Sequence, residues 1–64
     1  MPKYDIDVQL LGQDGNVFNL IGLVKKALRK HKVPQEEMDL FTEEVTSGDY
    51  SHALGVMMQW VNVE

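Results

Sequence analysis

Two stretches of this chain alternate apolar with polar residues, and they lie at opposite ends. In residues 4–11, Ile6, Val8 and Leu10 alternate with Asp5, Asp7 and Gln9; the second stretch is Trp60-Val61-Asn62-Val63-Glu64. A period of two marks a strand with one buried and one wet face. A strand on its own leaves its ladder N–H and C=O groups unpaired, so the first segment needs a partner. The terminal segment is the natural one. The chain is therefore expected to close its last strand against its first. The pairing direction is left open, and continuation of the preceding helix through residues 60–63 is the alternative.

Between the ends the apolar period changes to that of a helix. Gly12-Gln13-Asp14-Gly15-Asn16 reads as a turn, because Asp-Gly and Gly-Asn supply positive-φ positions at little steric cost. Asn16 is placed to cap the helix that follows. In residues 17–31, Val17, Leu20, Ile21, Val24, Ala27 and Leu28 share one face, and Lys25, Lys26, Arg29 and Lys30 share the other. Cations in the last turns of a helix also complement its dipole. Pro34 ends this helix and suits the first position of a second, over residues 34–46. There Glu36 and Glu37 fall in the first turn, and Met38, Phe41 and Val45 form a narrow apolar stripe. Gly48 reads as its stop and Asp49 as the cap of a third helix, residues 50–59. In that helix Tyr50, Ala53, Leu54 and Met57 point one way, and Ser51, His52, Gly55 and Gln59 the other. The expected fold is α+β: a single compact domain, 1–64, of order β-α-α-α-β, with a two-stranded sheet packed on three helices.

A chain of 64 residues buries only about 60% of the surface its unfolded form exposes. A core of that size rarely supplies more than about 3–5 kcal/mol. With no cysteine, disulfides, thiolate zinc sites and cysteine nucleophiles are excluded. No apolar run nears the roughly 20 residues of a membrane span, and no signal peptide opens the chain. The cytoplasm is the expected location.

The net charge of −4 conceals a segregation: five of the six bases, Lys25, Lys26, Arg29, Lys30 and Lys32, fall in one window of eight residues. Acids flank that window on both sides, with Asp5, Asp7 and Asp14 before it and Glu36, Glu37, Asp39, Glu43 and Glu44 after it. The plainest reading is a solvated helix face, paired in part with the acidic helix that follows. The acidic whole disfavours nucleic acid as a partner, because affinity for phosphate backbones comes from clustered cations. A helix-turn-helix reading of the second and third helices, which their short Gly-containing turn fits loosely, is disfavoured on the same ground, since residues 50–59 carry no Lys or Arg.

No catalytic residue, metal ligand or cofactor is expected. His31 and His52 lie apart, without a ligand at i+4. His31 reads as a helix-end cation or partly buried side chain. Asp14-Gly15-Asn16 lacks the ligand repeat and closing Glu of a calcium loop, and the glycine spacing and Lys of a phosphate loop. No acid, base and nucleophile converge, so an enzyme is not expected. Two features invite a binding role. Gly22 falls in mid-helix on the polar side, near Lys25, Lys26 and Arg29, where glycine costs about 1 kcal/mol relative to alanine. A close neighbouring backbone, within the fold or from a partner, is one reason for such a glycine. Leu40 stands among Glu36, Glu43 and Glu44, away from the apolar stripe of its helix, as an interface anchor would. Met57, Met58 and Trp60 are read as core rather than as an adaptable surface.

The order of these segments is similar to that of small hypothetical proteins of bacteria, phages and plasmids. The resemblance rests on the strand leading into residues 12–16, Ile21-Gly22, the run Val33-Pro34-Gln35-Glu36-Glu37, the run Thr46-Ser47-Gly48-Asp49-Tyr50, and Gln59-Trp60-Val61-Asn62-Val63. That group has no assigned activity. It implies a stand-alone protein of mobile-element type and transfers no functional residue. The expected function is a small non-enzymatic interaction or adaptor module. It would bind an unknown protein partner, or itself through open sheet edges, by Gly22, Lys25, Lys26, Arg29 and Leu40. The alternative is a nucleic-acid or anion-binding regulator using the basic face.

Overall fold

The structure, a computed structural model, describes residues 2–64. Its elements follow the expected order: β1 (Asp7–Val8), α1 (Val17–Lys30), α2 (Gln35–Val45), α3 (Tyr50–Trp60) and β2 (Asn62–Val63). The two strands pair in parallel, Asp7 opposite Asn62 and Val8 opposite Val63. The three helices thus form the crossover that a parallel pair demands.

Regular strand geometry is short, yet the pairing is not. The Lys3 and Tyr4 N–H groups donate to the carbonyls of Gln59 and Trp60, at 2.7 and 2.9 Å. Asn62 and Glu64 donate to Ile6 and Val8, both at 2.9 Å, and Leu10 and Leu11 donate to Glu64 at 2.7 and 2.8 Å. The alternation of residues 4–11 is thereby realised: Ile6, Val8 and Leu10 are buried, and Asp5, Asp7 and Gln9 are exposed. On the open face, Asn62 Nδ2 donates to Asp5 Oδ1 at 2.8 Å and Asp7 Oδ1 at 3.0 Å. The terminal segment divides, with α3 running through Trp60 and only Asn62–Val63 forming strand.

The core takes Leu20, Ile21, Val24 and Leu28 from α1, Met38, Phe41 and Val45 from α2, and Ala53, Val56, Met57 and Trp60 from α3. Trp60 meets Phe41 edge-on, with centroids 5.4 Å apart, and stacks on Tyr4 at 5.9 Å. Its indole N–H donates to Glu44 Oε1 at 2.9 Å, so the buried ring keeps its polar edge satisfied. Lys3 Nζ sits 4.3 Å from the centroid of the indole and 2.6 Å from Glu37 Oε1, which also accepts from Tyr4 Oη at 2.9 Å.

Helix ends depart from expectation in instructive ways. Asn16 and Asp49 cap as expected, accepting from Phe18 N–H and His52 N–H, both at 2.9 Å. Pro34 lies one position earlier than expected, at the N-cap of α2, where its carbonyl takes the Glu37 and Met38 N–H groups. α1 closes in a Schellman motif: Val33 N–H reaches back to Leu28 O and Lys32 N–H to Arg29 O, both at 3.0 Å. Lys32 occupies the left-handed position that glycine usually fills, at φ 60°. Gly48 is not a stop of that kind, since α2 ends at Thr46 with φ −99°. A Cβ on Gly48 would lie 2.6 Å from His52 Cγ, so the glycine makes room for that ring. In the first turn the positive φ belongs to Gly12, at 84°, rather than to Asp-Gly. Tyr50, expected inward, is partly exposed and donates to Gly15 O at 2.8 Å. Met58, expected in the core, is 63% exposed.

Candidate functional site

The residues singled out by sequence fall on two separate surfaces. On α1, Gly22, Lys25 and Arg29 follow one another at helical spacing and so share a face. Gly22 and Arg29 are exposed and Lys25 is half-buried. Lys26 and Lys30 flank this line on the side toward β1, beside His31, around a wide hollow that Asp7 and Gln9 also line. Leu40 stands on the outer face of α2, 39% exposed, with Glu36, Asp39 and Glu43, all exposed.

The expected pairing of the basic cluster with α2 is not made. Among the described residues the ion pair that forms is Lys3–Glu37, between the N-terminal segment and α2. Lys25, Lys26, Arg29, Lys30 and Lys32 carry no carboxylate partner among the described residues. The reason is geometric: α1 turns its apolar face to α2 and α3, and its cations therefore face outward. His31 is exposed at the end of α1 and takes no part in the core. Gly22 is also not explained by packing within the fold, for a Cβ added there would meet nothing within 4 Å. It leaves a stretch of bare helix surface at the N-terminal edge of the basic face.

Sequence reasoning missed Phe18, which lies one turn before Gly22 on the same face and is 76% exposed. The signal was present, since Phe18 falls outside the apolar sector of the α1 wheel. It borders a cleft of about 200 Å³ between the start of α1 and the turn into α3, with Val17, Ile21, Val45, Tyr50 and Ala53. The exposed face of α1 thus reads, in order, an aromatic ring, a bare turn and a set of cations.

Electrostatic perturbation is concentrated elsewhere, at the edge of the core. The Lys3 ammonium and then the Tyr4 hydroxyl, both bonded to Glu37, hold its carboxyl below the ordinary range. The same bond to Glu37 raises Lys3. Burial, followed by the bond to Glu37, pushes Tyr4 up. These groups fasten the N-terminal segment to α2 and α3.

Ser47 and His52 are in contact, with Oγ and Nε2 3.0 Å apart. Nε2 is also 2.9 Å from the Glu44 carbonyl oxygen, to which Ser47 Oγ donates at 2.7 Å. A carbonyl oxygen only accepts, so Nε2 carries the hydrogen and has no lone pair for the Ser47 proton. The contact locks the α2–α3 turn and does not set up a nucleophile with its base. Among the described residues no three of His, Asp and Glu gather as metal ligands, and no helix is long and apolar enough to cross a membrane. No family model, curated protein or solved structure matches the chain, so a functional reading rests on its own residues.

Proposed function

We propose that this protein is a non-enzymatic interaction module whose exposed α1 face docks an acidic surface of a protein partner. One observation carries the reading: among the described residues the cations of α1 have no carboxylate partner, and they follow a glycine with open space above it. A helix face needs neither property to fold. Gly22 lowers helix stability by about 1 kcal/mol relative to alanine, and clustered cations repel one another. Both become favourable when a second surface approaches closely and carries carboxylates. Phe18 adds apolar area next to the cations, and aromatic residues with arginine are the types that anchor interfaces.

Phosphate polymers are the competing ligand class for the same cations. The outward acids of α2 and of β1 oppose that reading, because they repel a long polyanion and tolerate a local carboxylate contact. The test is affinity capture with the wild-type protein and the Lys25→Glu/Arg29→Glu variant in parallel, with nuclease, at two salt concentrations. Defined proteins bound by the wild type and lost from the folded variant support the reading. Identical capture by both, or capture only of nucleic acid with steep salt dependence, refutes it.

A further inference from the structure

We infer that the acidic surface recognised by the α1 face is the outer face of α2 on a second copy of this chain, so that the protein self-associates head to tail. The inference rests on the reading of α1 as a docking face and names its partner.

The two faces complement each other in shape and charge. On α1 a glycine without a neighbour is bordered at i+3, i+4 and i+7 by Lys25, Lys26 and Arg29. On α2 an exposed leucine, Leu40, is bordered at i−4, i−1 and i+3 by Glu36, Asp39 and Glu43. One face offers a bare helix turn beside cations, and the other an apolar knob among anions. Neither ring forms an ion pair within the molecule among the described residues. Asp39 Oδ1 accepts from Gln35 Nε2 on the same helix at 2.9 Å, whereas the acids engaged by other elements, Glu37 with Lys3 and Glu44 with Trp60, lie beside this ring and outside it.

The two faces lie on different helices of one chain. Laid head to tail, each copy uses its α1 face on one neighbour and its α2 face on another. The contact is heterologous, and it generates a ring if its rotation closes or an open chain if it does not. One helix face laid on another falls at the small end of protein interfaces, below about 1,200 Å² in total, where contacts are transient. The association is accordingly weak. It is also salt-sensitive, because exposed charges are screened beyond about 10 Å at 0.1 M salt.

The experiment is sedimentation equilibrium on the full chain over a wide concentration range, at low and high salt, with circular dichroism confirming that each variant is folded. The wild type is expected to increase in mass with concentration at low salt and to lose that increase at high salt. Lys25→Glu/Arg29→Glu and Glu36→Lys/Glu43→Lys each remove one face, and each should lower the association constant about tenfold or more. Mixed together, they should associate again, since every α1 face of one variant then meets an α2 face of opposite charge on the other. Gly22→Gln places a side chain on the bare turn, at a position open to solvent. It should keep the fold and weaken association, so the inference stays testable if a charge-reversed variant fails to fold.

A wild type that stays monomeric at low salt overturns the inference. So does a mixture of the two reversed variants that forms no pair, or a folded Gly22→Gln variant that associates like the wild type. Such a result leaves the α1 docking face standing if capture of another protein still depends on Lys25 and Arg29. Loss of that dependence removes both readings.

Discussion

At the scale of single residues, the two glycines at Gly22 and Gly48 have opposite surroundings. Gly22 faces open space, and Gly48 faces the His52 ring. Gly48→Ala would press a methyl onto His52 Cβ, Cγ and Cδ2 at 2.6 to 2.8 Å. Those atoms lie near the base of the side chain and cannot swing aside cheaply. The variant should lose about 1–3 kcal/mol, the usual cost of overpacking. Gly48→Ala/His52→Ala should recover part of that loss, a coupling that a double-mutant cycle in urea would measure. Lys32 holds the left-handed position at φ 60°, which costs a residue with a Cβ roughly 1–2 kcal/mol. Part of that is returned by the freer unfolded chain of a glycine. Lys32→Gly should therefore raise stability by up to about 1 kcal/mol, seen as a higher urea midpoint at unchanged slope. An unchanged or lowered midpoint would show that the Lys32 side chain contributes more than its backbone costs.

Among the elements, the N-terminal segment is tied to α2 by side chains, through Lys3, Tyr4 and Glu37. The folded state lowers Glu37 from its ordinary 4.5, so it favours the ionised form. That contribution is complete above the ordinary value and is lost as pH falls through the lowered one. Lys3 is raised from 10.5, so its share persists up to that value and is lost as pH rises through the raised one. Glu37→Gln should accordingly be less stable than the wild type near neutrality, and the difference should shrink on acidification below about pH 4.5. Thermal melts of both proteins across that range would show the convergence, and parallel curves would exclude the linkage.

The same elements show what the sequence makes legible. The period of two in residues 4–11 and the caps Asn16 and Asp49 are local signals, and they placed the strand and the helix starts. The direction of the strand pair was not readable, because Ile6, Val8 and Leu10 alternate identically in either orientation. Lys32 escaped notice because a Schellman motif is defined by backbone bonds that a lysine leaves unmarked. Phe18 and Met58 are both legible as apolar residues off the buried sector; the sequence reading leaves Phe18 unplaced, and for Met58 it lets apolar composition outweigh angular position. Gly22, Lys25, Lys26, Arg29 and Leu40 were readable as surface features. That they form two unpaired faces required the third dimension.

At the scale of the whole molecule, one small core serves three helices and a sheet, and Phe41 is at its centre, fully buried against Trp60. Phe41→Ala should cost about 3–5 kcal/mol, which matches the whole stability available to a chain of this size, about 3–5 kcal/mol. The variant should be largely unfolded at 25 °C by circular dichroism, and a cooperative melt near the wild-type temperature would contradict the assignment of a single shared core.

The parallel pairing of the two end segments has a mechanical consequence. Force applied in opposite directions at residues 2 and 64 runs along the axes of the paired segments. The backbone bonds from Lys3–Gln59 through Leu11–Glu64 then lie across the direction of pull and are loaded together in shear, instead of opening one after another from an end. A molecule held by its two ends should therefore resist extension until a single rupture releases the sheet. One held across its helices has no such clamp and should yield at lower force.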